Sequence, residues 1–263
     1  MHRCCHRRPF ARPIAGALAL AACAGLASAH ERDFTLSRDW HLPYAGENEV
    51  ESRTFWDPKP NDLAQQFEYE YGITDHIAIE PGVKFLKPNG DAFKLKTVDC
   101  ELRFNFRDFG FNTLLPAFNV EYEHRVGEEI ELDSANPDFE AEKQAIEVKG
   151  ILSWYTEQGD DLTLNVNVGR VDGEEDSEWE SEATFGYLRK LDSIGGWEPP
   201  KEHPIGVGVE VLQQFSHEKF TEIGPTVSWR ASKNLHLLMT ALYAVNHRDV
   251  HSDELRLILE WEF

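Results

Sequence analysis

Cysteine is almost missing from the body of this chain. Cys4, Cys5 and Cys23 fall within the first 29 residues, which leaves Cys100 alone beyond them. A single thiol forms no intramolecular bridge, so a small disulfide-stapled fold is excluded. Beyond residue 29 no run approaches the roughly 18–20 consecutive apolar residues of a membrane-crossing helix. A membrane role would therefore have to be carried by strands closed into a barrel. Positive charge is also scarce: 26 Lys and Arg stand against 47 Asp and Glu, a formal charge of −21. Phosphate repulsion on that scale argues against nucleic acid as a partner. No segment carries a helical period, and no Gly-x-Ser-x-Gly element occurs.

What the chain does have is alternation. Its last residues set Leu255, Leu257, Leu259, Trp261 and Phe263 on one face and Glu254, Arg256, Ile258, Glu260 and Glu262 on the other. A period of two marks a strand with one apolar and one polar side. The same pattern recurs over residues 49–56, 63–71, 76–86, 93–107, 113–124, 141–156, 162–170, 179–190, 204–214, 220–230, 235–246 and 252–263. That predicts twelve strands. Pro81 inside the third predicts a bulge or a locally unpaired position.

The connections fall into two sets. One comprises 72–75, 108–112, 157–161, 191–203 and 231–234, of which four are tight. The other comprises 57–62, 87–92, 125–140, 171–178, 216–219 and 247–251, longer on the whole and richer in acid. Short turns at one rim and longer loops at the other are the pattern of an up-and-down transmembrane β-barrel, with both termini on the short-turn side. The strands that run toward that rim end in Tyr71, Phe106, Trp154, Tyr187, Trp229, Trp261 and Phe263 on their apolar faces. Such rings favour the headgroup level of a bilayer, so these residues are the expected interface girdle. The predicted fold is all-β, an antiparallel up-and-down barrel of about twelve strands over residues 49–263.

The alternating carboxy terminus, 257–263, resembles the assembly signal of bacterial outer-membrane barrel proteins, which implies Phe263 as the contact for the barrel-assembly machinery. The stretch "FEYEYGITDHIAIE", 67–80, resembles a strand-turn-strand element of outer-membrane transporters of the phenol meta-degradation-pathway type. Residue-level agreement lies in Tyr71-Gly72-Ile73-Thr74-Asp75. The resemblance implies an outer-membrane location in a Gram-negative envelope and carries no catalytic residue across. Outer-membrane lipid and lipopolysaccharide are the implied surroundings.

By phase, the lumen-facing positions are Glu68, Glu70, Glu80, Lys84, Asp99, Glu101, Arg103, Arg107, Glu121, Glu123, Glu147, Lys149, Glu180, Glu182, Glu210, Glu222, Arg230, Glu254, Arg256 and Glu260. Acids predominate. A wall of carboxylates raises the local cation concentration, so a passive channel for small cationic or polar solutes is expected. The competing reading is a non-conducting barrel whose charges pair across strands, because barrels of this size lie between filled and open ones. No enzyme is expected. The histidines His30, His41, His76, His124, His203, His217, His236, His247 and His251 are scattered, and none sits beside an obvious serine nucleophile. Ser216-His217 and His251-Ser252 adjoin in sequence, but neighbours in a strand point to opposite faces. No cofactor and no metal is expected. His247-x-x-x-His251 lacks a helix to align its rings, and the acidic stretches 127–138 and 172–178 read as solvated loops that could bridge lipopolysaccharide through divalent cations.

Residues 1–29 read as a signal peptide. Arg3, Arg7, Arg8 and Arg12 precede an apolar stretch over 14–22, and Ala27-Ser28-Ala29 forms a small-residue cleavage site. Removing four arginines and no acid takes the formal charge from −21 to −25. Leu20-Ala21-Ala22-Cys23 offers a second reading as a lipoprotein box, which would make the product a soluble or lipid-anchored periplasmic β-protein. Residues 30–48 hold Trp40, Leu42, Pro43 and Tyr44 without periodicity. Three placements stand open for them: a plug in the barrel, a periplasmic tail, or an extension of the first strand.

Overall fold

The computed structural model describes residues 33–59, 61–126, 143–172, 177–191, 204–216, 219–246 and 253–263. The expected signal peptide with Cys23, the acidic stretch 127–138, part of 172–178, and His30, His203, His217, His247 and His251 lie outside them. The described chain is a closed barrel of twelve antiparallel strands: β1 (Asn48–Asp57), β2 (Asp62–Thr74), β3 (Ile77–Lys87), β4 (Lys94–Asn105), β5 (Leu114–Arg125), β6 (Gln144–Tyr155), β7 (Asp160–Asp172), β8 (Ser177–Leu191), β9 (Ile205–Gln214), β10 (Thr221–Arg230), β11 (Leu235–Ala244) and β12 (Glu254–Glu262). Each strand pairs with its sequence neighbours, and β1 closes on β12 from Glu49↔Glu262 to Trp56↔Leu255. The twelve alternating stretches therefore correspond one to one with the strands. Closure leaves no open edge on which unpaired amides would face hydrocarbon.

Side-chain phase follows the pleat. Along β7, Asp161, Thr163, Asn165 and Asn167 are buried inside, while Leu164, Val166 and Val168 lie exposed outside. Tyr71, Phe106, Trp154, Trp229 and Trp261 are exposed on the outer surface near the short-turn rim; Tyr187 and Phe263 are half-buried there. Both ends of the barrel meet at this rim, where the Phe263 amide donates to the Asn48 carbonyl at 3.1 Å.

Pro81 shows how the ladder absorbs a residue without an amide donor. Its side chain faces outward and it stays opposite Cys100 of β4, but pairing with β2 lapses between Gly82 and Ile79 without a change of register. The register shifts along β3 lie elsewhere, opposite Gly72/Thr74 of β2 and, at Lys84/Phe85, opposite Leu95 and Thr97 of β4. There Lys96 and Thr97 are consecutive and both buried, as an extra residue in a strand requires.

The outer face predicts a depth-dependent penalty for charge. Val166→Arg, near the middle of β7, is expected to destabilise the barrel in lipid vesicles by about 2–4 kcal/mol, measured by denaturant unfolding.

Candidate functional site

The interior is not empty. Residues 33–44 enter at the short-turn rim, climb to mid-height and return, with Asp33, Phe34, Thr35, Ser37, Arg38, Asp39, Trp40 and Leu42 all buried. The turn over 35–37 is held by one side chain. The Glu210 carboxylate accepts from the amides of Thr35 (3.1 Å), Leu36 (2.6 Å) and Ser37 (3.1 Å) and from the hydroxyls of Thr35 (3.0 Å) and Thr240 (2.8 Å). A non-repetitive backbone inside a barrel has no ladder, so its amides need such acceptors. Asn165 Oδ1 and Ser153 Oγ take the next two, from Arg38 (2.7 Å) and Trp40 (3.1 Å). Gly186 makes room for the segment: a Cβ there would lie 2.5 Å from the Phe34 ring.

Arg38 carries the segment's positive charge to the barrel's centre. Its guanidinium lies 2.5 Å from Glu80, 3.4 Å from Glu68, 3.6 Å from Glu101 and 3.9 Å from Glu51. Burial works against this charge, and the surrounding carboxylates outweigh it, so Arg38 stays protonated more firmly than a free arginine. Two strand arginines complete the cluster. Arg53 pairs with Glu51 and Glu68 and lies 3.3 Å from Glu80; Arg103 grips Glu70 at 2.7 Å and donates to the His41 carbonyl at 2.9 Å. Burial alone would raise the Asp39 carboxyl, but His41, the hydrogen bonds it accepts and Arg103 hold it at about 2.

The exit of the segment is fastened by the turn singled out in the sequence. Gly72 exchanges backbone hydrogen bonds with Gly46 (2.8 Å) and Glu47 (3.1 Å), and Asp75 accepts from the Ala45 amide at 3.1 Å. A Cβ on Gly72 would sit 2.0 Å from the Tyr44 carbonyl. Below, Phe109 of the turn after β4 stacks on His41 and leans on Trp40 and Tyr155, which covers the segment from the short-turn side.

Among the described residues a cavity lies on either side of Arg38. The larger, about 290 Å³, opens toward the long-loop rim; Thr35, Leu36 and Arg38 form its floor, and Glu121, Glu123, Glu147, Glu180, Glu182 and Glu222 stand on its walls with Lys84, Lys149, Arg53 and Arg256. Lys149 pairs with Glu147 at 3.2 Å and Arg256 with Glu254 at 2.6 Å. On the β5–β8 side of this cavity the described lining holds more carboxylates than cations. The smaller cavity, about 10 Å³, is lined by Arg38, Asp39, His41, Leu42, Pro43, Glu49, Glu51, Glu70, Arg103 and Glu260.

The positions assigned by phase thus divide. Glu68, Glu70, Glu80, Asp99, Glu101, Arg103, Glu210, Glu222, Glu254, Arg256 and Glu260 are buried inside the barrel, with Lys84 at its loop-side end; Glu121, Glu123, Glu147, Lys149, Glu180 and Glu182 are half-buried around the larger cavity. Arg107 is a correction. The strand ends at Asn105, and Arg107 lies exposed on the following turn, donating to the Leu114 carbonyl at 3.3 Å. Arg230 ends β10 at the rim and bonds the Lys233 carbonyl at 3.2 Å. Periodicity missed Glu49, Glu51 and Arg53, which alternate inward along β1 but share that strand with Ser52 and Thr54 on the outer side.

The structure also brings together groups that lie apart in sequence. Ser228 Oγ is 2.8 Å from His236 Nε2, and His236 Nδ1 is 2.9 Å from Glu260. The order is that of a hydrolytic triad, but Ser228 is buried in a paired strand and lines neither cavity. The chain of bonds fixes the Glu260 carboxylate instead.

No protein-family model matches the chain, and no curated protein matches it in sequence. Solved structures do resemble it. A KdgM porin in complex with disordered oligogalacturonate aligns at a TM-score of 0.55 and 8% identity, over 82% of this chain and 99% of that one. The NanC porin aligns at 0.53 and 8%, over 81% and 100%. An outer membrane channel from Pseudomonas putida F1 aligns at 0.53 and 10%, over 85% and 97%. The fold is that of outer-membrane porin-like barrels. At these identities the likeness concerns the fold alone.

The Glu210 anchor makes a specific demand. Glu210→Ala strands three backbone amides, and each buried donor left unsatisfied costs about 1–3 kcal/mol. The expected outcome is release of residues 33–44, seen as new protease cleavage within them while the barrel stays intact; an uncleaved segment contradicts the anchoring role.

Proposed function

We propose that the protein is a passive outer-membrane channel for small polar solutes, with cations favoured, whose bore is narrowed at mid-height by residues 33–44. The observation that carries this reading is the larger cavity: polar, acidic on one side, open toward the long loops and floored by the inner segment. A carboxylate-rich wall concentrates cations at the mouth of a channel. The outward apolar face and the aromatic girdle support insertion in a bilayer rather than a soluble or lipid-anchored periplasmic existence. No catalytic step enters this reading. The narrower kinship with phenol meta-degradation-pathway transporters rests on residues 71–75; in this chain Gly72 and Asp75 hold the exit of the inner segment, so the shared element would serve the constriction.

A second reading, a non-conducting barrel that serves structure or binding, draws on the same segment, because its buried side chains fill the central cross-section. Planar-bilayer recordings separate the two. The chain lacking residues 33–44 is expected to conduct several-fold more than the intact chain; silence of both at every voltage overturns the channel.

The acidic wall has its own measurement. Glu121→Lys with Glu123→Lys, on one strand and one face, is expected to shift the reversal potential toward anions in the chain lacking residues 33–44. An unchanged reversal potential removes the account of cation preference.

A further inference from the structure

We propose that a divalent cation of the calcium class binds inside the barrel between Glu49, Glu51 and Glu260 and ties the first strand to the last. The site lies at the β1–β12 seam, near the short-turn rim, on the opposite side of Arg38 from the large cavity. Carboxylate oxygens of the three residues lie within 4.8 Å of one another, and all three side chains are buried. Oxygens that close to one another can all reach a calcium ion held at ~2.4 Å from each. The small cavity lined by Glu49, Glu51 and Glu260 has room for roughly one water-sized particle.

Acids outnumber bases in this corner, where Arg38, Arg103 and His41 also line the small cavity. The register sets Glu51 directly opposite Glu260, and Glu49 opposite Glu262 on one side and Glu70 on the other. Like charges placed directly across a strand pair repel. Arg103 serves Glu70, Arg53 and Arg38 serve Glu51, and His236 meets one oxygen of Glu260. Glu49 has no hydrogen bond or ion pair among the described residues, although it is only 6% exposed and turned into the trio. A buried carboxylate without a counter-charge is costly. A hard cation with oxygen ligands would resolve it, since Glu49 has no partner among the described residues and Glu260 is already oriented by the Ser228–His236 chain.

The location gives the ion a task. Strands adjacent in sequence are joined by turns, but β1 and β12 meet only through their ladder, so the seam is where a tubular sheet opens. A cation shared between both strands opposes that opening. It acts independently of whether the barrel conducts.

The experiment uses the folded chain in detergent, stripped with EDTA and titrated with calcium chloride alone. Calorimetry is expected to give one site per chain, and calcium is expected to raise the unfolding temperature. Glu49→Gln with Glu260→Gln should weaken binding at least tenfold and abolish the thermal shift, while Glu180→Gln with Glu182→Gln, in the larger cavity, should leave both intact. If the seam double variant does not fold, Glu49→Gln alone serves, with the same tenfold loss expected. Absence of calcium heat in the folded wild type, as when protons neutralise the carboxylates, overturns the proposal. So does binding that both seam variants leave unchanged, which would place calcium elsewhere.

Discussion

The interior is organised by the need to keep a buried guanidinium in company. Arg38 sits at the centre of the barrel, out of water, among Glu51, Glu68, Glu80 and Glu101. Such a charge is tolerated only where opposite charges surround it, and those carboxylates in turn need cations. Each half offsets the charge of the other. Without the inner segment, strands β1 to β4 would present a crowded row of glutamates to one another; without those glutamates, nothing would draw a positive side chain so far inside. The segment and the wall are one electrostatic unit, which is why a stretch with no regular structure holds a defined path.

That unit divides the lumen into unlike parts. At mid-height, Arg38, Arg53 and Arg103 interlock with the acids, and the space is filled. Toward the long loops acids predominate: Glu121, Glu123, Glu180 and Glu182 face the larger cavity, whose described lining carries more carboxylates than cations. The same inward alternation along each strand thus yields a dense ionic core at one depth and a hydrated acidic wall at another. What distinguishes them is whether the inner segment reaches that depth.

The sequence made the barrel legible because a two-residue period reports directly on which face of a strand meets an apolar medium, and nearly every strand is long enough to show it. The outward placement of the seven rim aromatics and the inward placement of most charges follow from phase alone. Arg107 does not, because alternation in the sequence continues past Asn105, where the strand stops. Glu49, Glu51 and Arg53 escaped because polar Ser52 and Thr54 blur the contrast on β1. The course of residues 33–44 lay out of reach for a deeper reason. An aperiodic segment carries no directional signal, and its place is decided by distant acceptors such as Glu210, Asn165 and Ser153, which one strand at a time cannot reveal.

One consequence concerns how such a lumen could open. Moving residues 33–44 outward as a body would carry Arg38 past the short-turn rim and leave four carboxylates facing each other in a narrow space. Coulomb repulsion at such distances is large unless water or cations replace the lost charge. The arginine thus supplies, at the centre of the barrel, the counter-charge that those four carboxylates require.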